Sequence, residues 1–263
     1  MLHLVTQFIF CYESPDYLAP IGARNDDITN RAYIESINKY FKRKISYLEL
    51  GCAGGAIVAD LIEEGHEAYG LEGTPYPLQI GRPAWLEHYN TNLFHCDLSK
   101  PFQLTDDDGA DYQFDVISHW EFLEHLPPSC LHYFCAKMYI HLKDDGAVFC
   151  GICPWGASTD IMSLPEGHPD RSQAKHDIYL EDVRIRGLEY HQSCFFRHQW
   201  EEKYFSDFFE TLDYTLEGCL RDDETSFKCI LKKKIGKKYM KLAQKYIEDY
   251  EFLFRATVSK NSG

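Results

Sequence analysis

The sequence predicts an α/β fold built on a mostly parallel sheet with helices on both faces. Three observations predict it. Short apolar runs alternate with segments of helical period, the pattern of parallel strands joined by helical crossovers. A glycine-rich turn, Gly51-Cys52-Ala53-Gly54-Gly55, stands between the first run and the helix after it. Acidic residues close or follow three of the runs, at Glu49, Glu72 and Asp97. Open α/β sheets bind ligands beyond the carboxyl ends of their strands.

The elements follow in order. Residues 1–25 read as an arm that turns at Ala19-Pro20-Ile21-Gly22. From Asp26 to Lys44, Ile28, Ala32, Ile34, Ile37, Tyr40 and Phe41 fall at helical spacing, with Asp26 or Asp27 as N-cap. ISYLEL (45–50) reads as a buried strand, and Ala56–Glu64 as a helix stopped by Gly65. Further strands are expected at Glu67–Glu72, Asn92–His95, Phe114–Ser118 and Ala147–Ile152, with a helix over Ser129–Leu142. Residues 154–190 break the rhythm with Pro, Gly, His and charge, and long loops of that kind are often functional. A helix is expected over His198–Glu210, then an antiparallel pair at Tyr214–Glu217 and Ser226–Lys232. Lys233–Phe254 has Met240, Ala243, Ile247, Tyr250 and Phe254 on one face and lysines around the rest. It packs on its own domain, makes a homodimer contact or, as the weakest of the three readings, contacts RNA. The expected division is 1–44 for the arm and first helix, 45–232 for the ligand-binding domain with an insertion at 154–197, and 233–263 for the last helix.

Composition narrows the partners. With 263 residues the chain can bury a sizeable core. Lys+Arg 27 against Asp+Glu 41 gives a net charge of −14, which offers no long-range attraction to phosphates, so nucleic acid is not an expected partner. No apolar run approaches the ~18 residues of a membrane-spanning helix. The apolar start lacks a basic region and a cleavage site. The chain is therefore expected in the cytoplasm, away from the membrane, with its ten cysteines as reduced, packed thiols.

The chemistry lies at the strand ends. Glycines in the turn after 45–50 let the backbone approach a ligand closely. Gly51, Ala53 and Gly55 fall at alternate positions, unlike the G-x-G-x-x-G turn of dinucleotide sites. A carboxylate at Glu72 can accept from two ribose hydroxyls, and Asp97, in His95-Cys96-Asp97-Leu98, from an adenine amino group. Phe114-Asp115-Val116-Ile117-Ser118 leads into His119-Trp120-Glu121-Phe122-Leu123-Glu124-His125.

These stations, in this order, resemble class I methyltransferases that depend on S-adenosylmethionine. The stretch from Tyr17 to about Tyr214 is similar to small-molecule and sugar O-methyltransferases of glycan or natural-product pathways. It shares APIGARNDDITNRAY, LELGCAGG, YGLEGTPY, LFHCDLSKPF, FDVISHWEFLEHL and GLEYHQSCFFRHQWEEKYF. The resemblance implies a Rossmann-like, seven-stranded sheet and S-adenosylmethionine as cofactor, released as S-adenosylhomocysteine. Cofactor contacts are implied at Glu49, Gly51, Ala53, Gly55, Glu72, Gly73, Asp97, Leu98, His119 and Trp120.

Methyl transfer to a hydroxyl needs close alignment and loss of a proton, which a positioned His can take. His191 is the first candidate base and His125 the second. Each can equally be a satisfied surface or core histidine. Arg24 is expected on the substrate or cofactor side, with Asn25 beside it. Trp155 and Trp200 either stack on a sugar ring or fill core. Glu121 and Glu124 either orient a His or cap a following helix. Asp160, Glu166, Asp170 and Asp177 show no metal-ligand spacing, so no metal is expected. The expected acceptor is a small molecule or a glycan. Other readings are a different metabolite, a protein acceptor, or a non-catalytic scaffold that binds a partner through its last helix.

Overall fold

In every residue of Ser46–Leu50 the side chain is buried, and this run forms the strand at the heart of the sheet. The computed structural model describes residues 1–12, 31–152, 200–213 and 227–261. The strands are β1 (His3–Thr6), β2 (Ser46–Leu50), β3 (Glu67–Glu72), β4 (Leu93–His95), β5 (Phe102–Thr105), β6 (Phe114–Trp120), β7 (Leu142–Ile152), β8 (Phe209–Asp213) and β9 (Phe227–Lys233). The helices are α1 (Arg31–Phe41), α2 (Ala56–Glu63), α3 (Tyr76–Gln79), α4 (Pro83–His88), α5 (Leu131–His141) and α6 (Lys237–Asn261).

Seven strands make one sheet in the order β4-β3-β2-β6-β7-β9-β8. The pairs from β4 to β7 are parallel, and β9 pairs antiparallel with both β7 and β8. Strand order reverses between β2 and β6, and a ligand crevice opens beyond the carboxyl ends at such a point. Alternate residues feed opposite faces, as the period of 2 requires. Leu48, Leu50 and Ile117 join the core cluster under α5 and α6. Tyr47, Val116 and Phe149 join the cluster that also takes Tyr33 of α1 and Val58 of α2.

Several expected boundaries move. Of the helix expected over His198–Glu210, the described residues are helical at Trp200 and π-helical over Glu201–Phe205, and Phe209 and Glu210 already belong to β8. Pairing of Phe209 with Lys233 through Asp213 with Cys229 draws this run into the sheet. The first strand of the closing pair thus precedes Tyr214–Glu217, which lie outside the described residues. The last helix begins at Lys237 because Lys233 still ends β9 and Gly236 breaks the chain at φ 142. The arm contains a strand that was not expected: β1 pairs antiparallel with β5 as a separate two-stranded sheet. The residues at the N-cap positions of the turns after β6 and of α5, Phe122, Pro127 and Cys130, make no side-chain cap. The Asp26 and Asp27 caps and the turn at 19–22 lie outside the described residues.

Seven cysteines are described; all are free and six are buried. Cys150 and Cys153 stand in C-x-x-C spacing in the sequence. Cys150 faces Cys229 across the β7–β9 pair with the sulfurs 3.0 Å apart, and Cys153 lies outside the described residues.

Candidate functional site

The crevice between β2 and β6 is floored by the glycine turn. Gly51 and Cys52 donate their N–H groups to Leu71 O at 2.9 and 3.1 Å, which seats the turn on the end of β3. Gly51, Ala53 and Gly55 all have left-handed φ, at 72°, 46° and 77°. Glycine takes this conformation freely; alanine does so at a cost. Two bonds hold Ala53 there: its N–H donates to Glu72 Oε2 at 2.8 Å, and Trp85 Nε1 donates to its carbonyl at 2.8 Å. A Cβ at Gly51 would stand 2.5 Å from the Phe122 ring, so this position also needs glycine for space.

Glu49 rises from β2 into the same corner. It is buried, and its Oε2 has no hydrogen-bond partner among the described residues. Burial first, then the nearby charge of Glu72, pushes its carboxyl well above the usual range. Across the crevice its register partner is Ser118, whose hydroxyl meets the buried Tyr47 hydroxyl. Trp120, two residues on, stands edge-on to Tyr33 at 5.3 Å, and its Nε1 is buried without a partner among the described residues. The Tyr33, Tyr47 and Ser118 groups were not among the expected site residues. No motif marks them, because they reach the corner only through the pairing of β2 with β6 and the packing of α1.

His119 points to the other face. It is fully buried, neither ring nitrogen has a partner among the described residues, and burial lowers its pKa to about 3. It is therefore neutral at physiological pH. Glu121 follows at φ 47, its N–H bonded to Gly151 O at 2.8 Å. Two non-glycine residues, Ala53 and Glu121, thus hold left-handed backbone on the two sides of the crevice. Strain of this kind collects at functional sites. His125 ends the short 3₁₀ turn Leu123–His125 beyond β6 and is half-buried.

At the far end of the crevice, Glu72 accepts from Thr74 N–H at 3.2 Å as well as from Ala53. Asp97 is buried after β4, where its Oδ1 accepts from the Ser99 N–H and hydroxyl at 2.9 and 2.6 Å. Leu98 is buried beside it in the core, and Gly73 follows Glu72. Glu49, Gly51, Ala53, Gly55, Glu72, Gly73, Asp97 and Trp120 therefore line one rim, the carboxyl edge of β4-β3-β2-β6. Trp200 is elsewhere. It is fully buried, stacked on Phe205 at 5.7 Å, and its burial favours the core role. Arg24, Asn25, Trp155, His191 and the four insertion acids lie outside the described residues. Among the described residues no group of three or more His, Cys, Asp or Glu is placed to hold a metal. No described helix is long and apolar enough to cross a membrane.

A family model described as a methyltransferase domain matches residues 23–206, and the chain belongs to that family. Its fold is that of the class I methyltransferases, which use S-adenosylmethionine. Among curated proteins it is similar to the ubiquinone biosynthesis O-methyltransferase of Pasteurella multocida, 32% identical over 139 residues, covering 47% of this chain and 56% of that one. The protein of the same name from Erwinia tasmaniensis is 34% identical over 131 residues, covering 48% and 49%. The chain thus spans about half the length of these relatives. Among solved structures, the Burkholderia thailandensis 1,6-didemethyltoxoflavin-N1-methyltransferase, with S-adenosylhomocysteine bound, has a TM-score of 0.52 at 14% identity, with 84% of each chain covered. The plantazolicin methyltransferase BpumL, also with S-adenosylhomocysteine, has a TM-score of 0.51 at 12% identity, covering 84% and 88%. These two likenesses concern the fold.

Proposed function

We propose that this methyltransferase moves the methyl group of S-adenosylmethionine to a hydroxyl of a small-molecule acceptor. The observation that carries the reading is the buried Glu49 carboxylate, one oxygen unpartnered, beside a left-handed backbone turn at the strand-order reversal. A buried anion without a partner is costly, and a cationic ligand removes that cost. An ammonium beside a sulfonium fits such a corner. Glu49 would take the amino group, the Gly51–Gly55 turn the backbone approach, Glu72 the ribose hydroxyls and Asp97 the purine amino group. Glu72 and Asp97 would then exchange part of their present bonds to loop N–H groups for ligand bonds. The fit is therefore a matter of donors and acceptors already in place.

When bound, S-adenosylmethionine supplies an electrophilic methyl group. The chain's own part is to align the acceptor oxygen and to take its proton. His191 is the proposed base, with His125 as the second candidate. His119, which is buried and on the opposite face, does not suit that role. The curated relatives named as O-methyltransferases support an oxygen acceptor. A sugar or glycan ring remains one acceptor class to compare with other hydroxylated metabolites. A homodimer through α6 would have to use the exposed Phe252 and Leu253, because the inner face packs on α5.

Titration calorimetry with S-adenosylmethionine and S-adenosylhomocysteine tests the reading. Micromolar binding is expected, weakened about tenfold or more by Glu72→Ala, since a hydrogen bond to a charged group contributes about 1.5–3 kcal/mol. Failure of the folded wild type to bind either compound would overturn the proposal and favour the scaffold alternative.

A further inference from the structure

The amino-terminal segment lies outside residues 23–206, the stretch matched by the family, and still reaches the site. After β1 the chain turns at Thr6, whose Oγ accepts from Phe8 N–H at 3.0 Å and donates to Pro101 O at 3.2 Å. Phe8 O then accepts from the Asp97 N–H at 2.9 Å, and the Cys11 N–H donates to Gly73 O at 2.8 Å. These two bonds lay residues 8–11 across the carboxyl ends of β4 and β3, over the positions of Asp97 and Glu72. The Phe10 ring meets the His95 ring edge-on at 5.0 Å. His95 in turn meets Trp85 at 4.6 Å, and Trp85 holds the Ala53 carbonyl. The fit is close, because a Cβ at Gly73 would stand 2.9 Å from the Cys11 Cβ. From outside, Phe8 is braced by Phe254 of α6, the rings 5.1 Å apart.

We propose that Phe8–Cys11 is a strap that builds the nucleoside end of the cofactor site, with Phe8 and Phe10 as positioning residues. A purine nucleoside needs apolar walls for its base and fixed acceptors for its amino and hydroxyl groups. The strap supplies an aromatic wall and ties the Asp97 and Gly73 backbones to one another, so that both carboxylates face one ligand. The proposal rests on the reading of this site as one for S-adenosylmethionine. It adds that residues outside the shared family region set the affinity.

The test uses the full chain and S-adenosylhomocysteine. Wild type is titrated first, together with Phe8→Ala and Phe10→Ala. Each variant is expected to keep its unligated melting midpoint within a few degrees and to bind about three- to tenfold more weakly, with Phe10→Tyr restoring affinity. Since a variant could lose its fold, a second measurement uses wild type alone. Iodoacetamide labelling of Cys11, the one described cysteine that is not buried, is followed by mass spectrometry of its peptide. Bound S-adenosylhomocysteine is expected to slow that labelling about tenfold, as steric cover of a thiol does. Tight wild-type binding with unchanged variant affinities and unchanged Cys11 labelling would overturn the strap while leaving the cofactor reading intact. Absence of wild-type binding would overturn both.

Discussion

A carboxylate buried without a full set of partners disfavours its own charge, and Glu49 does so beside a second acid, Glu72. Its raised pKa means the folded state holds that proton more tightly than the unfolded chain. The stability this brings is present at low pH and is lost as pH rises through the folded-state value. Glu49→Gln removes the ionisation and is expected to raise the melting temperature of the unligated protein at pH 7. Each kcal/mol relieved corresponds to about 2–4 °C. The advantage over wild type should shrink as pH falls into the ordinary carboxylate range, and affinity for S-adenosylmethionine should drop about tenfold or more. Scanning fluorimetry across pH and calorimetry check the two halves. Ala53 gives the complementary case. Its φ of 46° is left-handed in a residue that carries a Cβ. Left-handed backbone costs an L-residue about 1–2 kcal/mol, and the greater freedom of unfolded glycine offsets about 0.5–1 kcal/mol of the relief. Ala53→Gly should therefore stabilise by about 0.5 kcal/mol in urea unfolding. The acids at strand ends could be read from sequence because strand end and residue type coincide. The Tyr33–Tyr47–Ser118 corner could not, since it exists only after α1 docks on the sheet.

At the scale of elements, the parallel centre of the sheet was legible and its margins were not. β2, β6 and the centre of β3 are buried on both faces, so they appear as short runs dominated by apolar residues. β1 and β5 are four-residue strands, and β1 is half-exposed, which leaves too short an alternation to recognise. The run around Phe205–Phe209 carries apolar residues at both periods, and pairing with β9 decides between them. The amino ends of β2 and β6 are fixed by a charged cluster far from the crevice. Burial alone would raise the pKa of Asp115, but bonds from the Arg43 guanidinium, the Ser46 N–H and Lys143 outweigh it and hold the carboxyl well below its usual range. A depressed folded-state pKa contributes stability above the unfolded value that is lost as pH falls toward the folded one. Asp115→Asn is expected to cost about 3 kcal/mol at neutral pH, since it strips a buried carboxylate from two cations. The gap to wild type should close progressively below the ordinary carboxylate range. Guanidinium unfolding at neutral and acidic pH would show it; an equal gap at both would refute the assignment.

On the scale of the whole molecule, the segment after β1 and the last turns of α6 converge on the β4 end of the crevice. α6 lies along α5, with Ala243 fully buried and Tyr250 stacked on Tyr133 at 4.5 Å. The Tyr250 hydroxyl donates to Ser99 O, in the same turn whose N–H and hydroxyl hold Asp97. Four residues on, Phe254 braces Phe8. The apolar stripe seen in the sequence of this helix is thus spent largely on its own domain, and its last turns bear on the loop after β4. Two substitutions separate packing from geometry. Tyr250→Phe keeps the stack and removes one hydrogen bond, at a cost of about 0.5–1.5 kcal/mol. Tyr250→Ala also removes the ring, and a large-to-small change in a packed aromatic site costs about 3 kcal/mol or more. If the helix supports the Asp97 turn, Tyr250→Phe should weaken binding of S-adenosylhomocysteine by more than its small stability loss suggests. If the helix only fills space, affinity should hold in Tyr250→Phe, and urea unfolding should carry the whole effect of both variants.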